Sequence, residues 1–147
     1  MIDNDSYPSL GELMSTALVE FLRARLDEDA SVARAATPGP WAVDNVEYAE
    51  SILAADRTAV VGGGRWGGEA SVFETTEDAL HIARHDPERV LAEVETKRRI
   101  VFLAERLPEL TASTDMFDNN RDAWAEVLKR LALPYADHPD YQGAWKP

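Results

Sequence analysis

The stretch His81-Ile82-Ala83-Arg84-His85-Asp86-Pro87 places a corner between two helices and carries two of the three histidines in the chain. Asp86 is a residue type favoured at the N-cap of a helix. Pro87 suits the first helical position, because the N–H that proline lacks has no helical partner there. The stretch therefore predicts one helix that ends near His85 and another that begins at Pro87. It does not indicate a reaction.

A long helix is predicted before this stretch. Apolar residues recur every three or four positions from Met14 to Ala33, which is typical of a half-buried helix. The turn at 37–40 contains two prolines and a glycine, so it ends the helix. We expect this turn to direct the chain from helix to sheet, with Trp41 fixing the first strand in the core.

Short apolar runs follow the turn and predict strands. They occupy residues 41–48, 58–61 and 70–73, while Ser51–Ala55 fits a helix or a strand. Residues 62–68 are rich in glycine and form a loop. No connection in this region is long enough for a helical crossover, so the strands are expected to form an antiparallel meander.

Two further helices complete the prediction after the corner. The helix that begins at Pro87 is expected to end at Pro108 and to pack centrally, with the first helix against it or the sheet. A last helix, capped by Asn119 or Asn120, is expected to end before Pro134, with these residues facing inward: Ala123, Trp124, Val127, Leu128 and Leu131. The predicted fold is α+β and helix-rich, with about four helices and a small antiparallel β-meander between the first helix and the later ones.

Length and composition predict a single domain over residues 1–147, in which 1–8 are frayed and 134–147 form an extended tail. Two aromatic residues of the tail, Tyr141 and Trp145, are candidates for docking on the chain's own body or on another copy. The chain has no cysteine, which excludes disulfides and thiolate chemistry. No apolar run is long enough to span a membrane, and the acidic N-terminus is unlike a signal peptide, so we expect a cytoplasmic protein with no membrane partner.

The net charge of −12 restricts the partners. Residues 1–50 hold ten acidic and three basic residues, so they contribute −7 of this charge. Such a chain repels phosphate backbones, and we expect no direct nucleic-acid binding. The excess of acidic residues is typical of a solvated surface. The alternative is a surface that presents carboxylates to a basic, DNA-binding protein.

Three segments carry a resemblance to a known group of proteins: VEFLRARLDEDASVARAATPGPW at 19–41, HIARHDPERVLAEVETKRRIV at 81–101, and LALPYADHPDY at 131–141. They resemble an uncharacterised family of small proteins from actinobacteria and their phages. Residues 42–74 and 108–120 match least. The resemblance implies a phage or mobile-element setting and implies no activity.

His81 and His85 form the candidate metal site. At positions i and i+4 of a helix, both rings project from one face, roughly 6 Å apart. Zinc-binding His-Glu-x-x-His helices use this spacing, but Ile82 replaces the glutamate that acts as general base there. A zinc site also needs a third ligand, for which the candidates are Asp78, Asp86, Asp137 and His138. The structural alternative is that His85 interacts with the helix dipole while His81 packs against a neighbour.

Arg65 and Trp66 form the candidate interaction site, at the tip of the glycine-rich loop. Arginine and tryptophan are residue types that anchor protein interfaces. Alternatively, Trp66 folds back onto the sheet. Gly62, Gly64 and Gly67 match a dinucleotide-binding spacing, but a strand follows them where that motif requires a helix.

We therefore predict a non-enzymatic protein-interaction or regulatory accessory protein with no cofactor and no catalytic residue. The alternative is a zinc- or other divalent-metal-binding module, or a metal-dependent enzyme, built on His81 and His85. The sequence leaves the oligomeric state open.

Overall fold

The computed structural model describes residues 10–44, 51–62, 75–110 and 114–147. These residues form four α-helices and one three-stranded antiparallel sheet in the order β1-β2-β3. The elements are α1 (Leu10–Ala35), β1 (Trp41–Asp44), β2 (Ser51–Ala54), β3 (Ala59–Val61), α2 (Thr76–Arg84), α3 (Pro87–Leu110) and α4 (Thr114–Ala132). The predicted α+β class is confirmed, with the meander between the first helix and the later ones. The chain divides into two compact units, one of residues 28–95 and one of residues 1–27 with 96–147.

The sheet lies in the unit of residues 28–95. Strand β2 is central: Trp41 of β1 lies opposite Ala54, and Asp44 lies opposite Ser51. All four residues of β2 are buried. The segment that fitted helix or strand is therefore the middle strand, since a short apolar run without alternation suits a strand covered on both faces. The predicted strand residues at 46–48 and 70–73 lie outside the described residues.

A tight turn joins β2 to β3 and places Arg57 in the left-handed region, with φ at 69°. The Arg57 N–H donates to the Ala54 carbonyl, and the Thr58 N–H donates to the Asp56 side chain, both at 2.9 Å. This second bond lowers the pKa of the Asp56 carboxyl below its ordinary value, because the N–H stabilises the charged form. A side chain with a Cβ is strained at such a φ, so the turn is held by its hydrogen bonds.

The strain at Arg57 predicts that Arg57→Gly gives a protein about 1 kcal/mol more stable than Arg57→Ala does. Both variants lose the ion pair between Arg57 and Asp44, whose atoms are 3.7 Å apart, so the difference between them isolates the backbone term. Urea unfolding of the two variants measures it. Equal midpoints would show that the turn is unstrained.

Helix α2 packs on the sheet through small side chains. Ala79 and Ala83 are buried against Ile52 of β2, and Trp41, Val43, Val60 and Val61 surround this cluster. Residues four apart lie on one face of a helix, and alanine allows the helix axis to approach the strands closely. The Thr75 hydroxyl accepts a hydrogen bond from the Asp78 N–H and so caps the start of this helix.

Helix α1 buries the predicted apolar face. The described members of the stripe, Leu18, Leu22, Leu26, Ala30 and Ala33, are all buried, and Phe21 broadens it as expected. Within the unit that holds the chain's two ends, α1 lies beside α3. Arg23 of α1 pairs with Glu105 of α3, and Arg98 of α3 pairs with Asp27 of α1. These ion pairs are largely exposed to solvent, so each contributes little to stability.

The C-terminal segment docks on its own chain. Residues 134–147 were predicted as extended, but the segment forms two 3-10 turns, at Leu133–Tyr135 and Gly143–Trp145. The ring of Phe21 on α1 is contacted by four rings of this segment, at centroid distances of 5.0–6.4 Å: Tyr135, His138, Tyr141 and Trp145. Trp145 is buried. The turns let all four rings of the segment reach Phe21.

The aromatic cluster predicts that Phe21→Ala lowers the free energy of unfolding by about 3–5 kcal/mol, since a buried ring leaves a cavity. Phe102→Ala is the matched control. Its ring is partly exposed, so we expect a loss below about 1 kcal/mol. Denaturant unfolding followed by near-ultraviolet dichroism reports both. Equal destabilisation by the two substitutions would contradict the packing of the four rings on Phe21.

The ends of the later helices differ from the prediction. Helix α3 continues past Pro108 to Leu110, because a proline in the last turn removes only one helical hydrogen bond. Helix α4 begins at Thr114, before the predicted cap at Asn119 or Asn120. Thr114 and the following aspartate are themselves residue types favoured at helix starts. Helix α4 ends before Pro134 as predicted.

The inward face of α4 is narrower than predicted. Leu128 is buried, and Trp124 and Leu131 are partly buried, as the apolar spacing indicated. Ala123 and Val127, which were predicted to face inward, are exposed. The buried face is narrower than the apolar stripe because an apolar residue at the margin of a stripe does not have to be buried.

Candidate functional site

The corner between α2 and α3 is built by Asp86. Helix α2 ends at Arg84, with His85 as its C-cap, and α3 begins at Pro87. Asp86 Oδ1 accepts a hydrogen bond of 2.8 Å from the Arg89 N–H in the first turn of α3. The predicted N-cap is confirmed. Asp86 is only 7% exposed, although an aspartate is rarely so buried without partners.

The second oxygen of Asp86 reaches the sheet. Asp86 Oδ2 accepts a 3.1 Å hydrogen bond from the N–H of Trp41, the first residue of β1. The turn before β1 lies against the same carboxyl group, because a Cβ built on Gly39 would be 2.8 Å from Oδ2. The Trp41 indole N–H donates to the Thr37 carbonyl across this turn. Both carboxylate oxygens are thus bonded to the backbone, and we assign Asp86 a structural role.

This close approach predicts that Gly39→Ala destabilises the protein by about 1–3 kcal/mol, because the new methyl group must displace Asp86. Gly143→Ala is the matched control, since no atom lies within 4 Å of a Cβ there. We expect its stability to stay unchanged or to rise by up to about 1 kcal/mol. Thermal unfolding of both variants makes the comparison.

A double substitution tests whether the clash with Asp86 causes the stability loss of Gly39→Ala. In an Asp86→Ala background, the loss caused by Gly39→Ala should become smaller, because the clashing carboxylate is gone. Strictly additive losses would show that the turn and the carboxylate act independently.

The two candidate histidines lie together on the outer face of α2. Their ring centroids are 4.4 Å apart and the rings are inclined at 44°. Both are exposed, on the side of the helix opposite the buried Ala79 and Ala83. His85 Nδ1 lies 2.8 Å from the His81 carbonyl oxygen. A carbonyl only accepts, so Nδ1 carries the proton and Nε2 holds the lone pair of the neutral ring.

The other predicted ligands do not join this pair into a metal cluster. Among the described residues, no group of three or more His, Asp or Glu side chains has the geometry to hold a metal ion. The Asp78 N–H donates to Thr75 at the start of α2. His138 lies in the other unit, where its Nδ1 accepts from the Asp140 N–H at 3.1 Å and its ring contacts Phe21. Asp137 is exposed in the same turn region.

Arg65 and Trp66 lie outside the described residues, as does most of the glycine-rich loop at 62–68. The loop therefore stays a prediction, and so does the interaction site that was placed on it.

An exposed aromatic group on α3 was not identified from the sequence. Phe102 is 39% exposed, and the guanidinium carbons of Arg99 and Arg106 lie 5.2 Å and 4.8 Å from its ring centroid. The spacing that creates this group is Arg-x-x-Phe-x-x-x-Arg, which puts all three residues on one helical face. That spacing was available in the sequence.

Comparison with known proteins identifies the family and nothing more specific. The sequence model of a family of unknown function, DUF6221, matches residues 15–147. The chain belongs to DUF6221. The DUF6221 match runs from within α1 to the C-terminus, so it includes the Asp86 corner, the histidine pair and the Phe102 group.

No curated protein and no solved structure matches this DUF6221 chain. Its described helices include none that is both long and apolar enough to cross a membrane. The resemblance to an uncharacterised family is confirmed at the level of DUF6221, and the actinobacterial or phage setting stays a prediction.

Proposed function

We propose that this chain is a small, acidic, non-enzymatic accessory protein of an actinobacterium or its phage, which acts by binding another protein. The observation that supports the proposal best is the group of Phe102, Arg99 and Arg106 on α3. Aromatic residues and arginine are the side chains most enriched at protein interfaces. Here a partly exposed ring and two guanidinium groups lie on one face of one helix.

The chemistry of this group favours a partner that presents a carboxylate at the contact. A guanidinium group over an aromatic ring keeps its N–H donors at its edge, where a carboxylate binds in a bidentate manner. Contact with the ring also restrains the side chain, which reduces the entropy lost on binding. Arg65 and Trp66 have the same pair of residue types, and we propose them as a second contact. With a net charge of −12, the chain is unsuited to bind nucleic acid.

Site-specific photocrosslinking in the native host cell tests this proposal. A photoreactive phenylalanine analogue replaces Phe102 in one variant and Val32 in another. Val32 is the matched control, because it is 68% exposed and therefore more accessible than Phe102. We expect a defined crosslinked species from position 102 and little from position 32. The species should disappear in Arg99→Glu and Arg106→Glu backgrounds with unchanged helical dichroism.

Two results would contradict the proposal. Equal crosslinking from both positions would show that exposure alone determines contact. Persistence of the crosslinked species after charge reversal at Arg99 and Arg106 would show that the guanidinium groups play no part.

The second candidate function is a metal-binding module at His81 and His85. The observation that favours it is the bond from His85 Nδ1–H to the His81 carbonyl, because ligating histidines commonly donate their other N–H to such an acceptor. That bond leaves Nε2 as the ligand atom. Zinc is the expected ion, since imidazole nitrogen is among its preferred ligands.

Calorimetric zinc titration of untagged protein tests this second candidate. We expect His81→Ala and His85→Ala each to weaken zinc binding by at least about tenfold, and His138→Ala to leave it unchanged. A chain that binds no zinc, or that binds it equally well in all three variants, would exclude the site.

A further inference from the structure

We propose that the zinc ion is shared between two copies of this chain, each of which supplies His81 and His85 from the outer face of α2. This inference rests on the second candidate function and deepens it. It names the missing ligands as the same two histidines of a second copy.

The number of ligands in one chain favours a shared zinc site. Structural zinc sites are four-coordinate, and the histidine pair supplies two nitrogens. Asp86, the adjacent acidic residue, has both carboxylate oxygens bonded to backbone N–H groups. Within the described ranges no third His, Asp or Glu joins the pair. A second histidine pair related by a two-fold axis completes a tetrahedral set of four imidazoles.

The geometry of the histidine pair suits two ligands of one ion. The ring centroids are 4.4 Å apart, so both imidazoles can serve one ion if the His81 ring turns towards it while His85 keeps its bond to the His81 carbonyl. The bond to the His81 carbonyl fixes the Nδ1–H tautomer of His85, so this ring needs no proton rearrangement before it binds. A single helix therefore presents half of a zinc site.

The residues beside the histidines are apolar and exposed, which suits contact with a second copy. Leu80 and Ile82 precede and follow His81 and are 49% and 37% exposed. At 100° per residue, they project from the two sides of the histidine face. In a two-fold arrangement, the same apolar side chains from both copies meet around the ion and exclude water from it. The occupant of this face is thus a second α2.

The size of the contact sets how the dimer depends on metal. Helix α2 has nine residues, so two such helices bury less surface than the roughly 1,000 Å² that a stable interface requires. Apolar contact alone is therefore insufficient. We expect the chain to dimerise only when zinc is bound, and removal of zinc to separate the copies.

Sedimentation velocity of the full, untagged chain tests the inference, with zinc alone as the probe. We expect monomer in EDTA and dimer at one zinc per two chains. His81→Ala and His85→Ala should each weaken zinc-dependent dimerisation by at least about tenfold. His138→Ala is the matched control and should dimerise like the wild type. Leu80→Glu should weaken the dimer while the histidine pair is intact.

Cobalt substitution gives an independent readout of the site. Four imidazoles produce the intense visible bands of tetrahedral Co²⁺, whereas two imidazoles completed by water give weak octahedral bands. We expect the intense bands to appear with dimer formation and to be lost in His85→Ala. Asp78→Asn should leave them unchanged.

Four other outcomes would contradict the shared zinc site. Zinc bound at one per monomer without dimer would overturn the shared site and leave the second candidate function standing. A loss of the cobalt bands in Asp78→Asn would place the third ligand in the same chain and overturn the sharing. No zinc binding at all would overturn both the shared site and the second candidate function. A dimer that persists in EDTA would show that metal does not bridge the copies.

Discussion

The carboxylate of Asp86 is the constraint on which the unit of residues 28–95 depends. One oxygen accepts the Arg89 N–H and starts α3, and the other accepts the Trp41 N–H, 45 residues earlier in the chain. A buried carboxylate with a lost partner is costly, so each bond stabilises the geometry of the other. Glycine suits position 39 beside it, because a Cβ there would lie 2.8 Å from Oδ2 and something would have to shift. The sheet and the helix corner therefore have one shared anchor.

This anchor determines which face of α2 is available. Trp41 begins β1 and belongs to the cluster in which Ala79 and Ala83 of α2 are buried against Ile52. Because those alanines face the sheet, the rest of the short helix faces solvent, including His81 and His85. The same corner that ends α2 also places His85 at its C-cap, where its ring bonds back to the His81 carbonyl. The heptapeptide 81–87 thus holds both the helix corner and the two candidate metal ligands.

The two compact units present different surfaces for the two proposed activities. The unit of residues 28–95 carries the histidine pair, and the other unit carries Phe102 with its two arginines. In the latter unit, the packing of the C-terminal rings on Phe21 stabilises α1 without using Phe102. Substitutions on one surface should therefore leave the other proposed activity unchanged. A zinc-dependent second copy would add valency to a protein-binding surface and increase its avidity.

The sequence by itself determined the helices, the meander and the corner, because these depend on local rules: apolar spacing, the Asp-Pro cap and the proline-glycine turn. It also determined that His81 and His85 share a face, since spacing along one helix requires it. Only the tertiary structure decided that Asp86 bonds to β1 and is thereby removed from the set of free ligands, and that the tail folds onto Phe21. Those contacts join residues far apart in the chain, and no local pattern specifies which distant N–H or ring will be the partner.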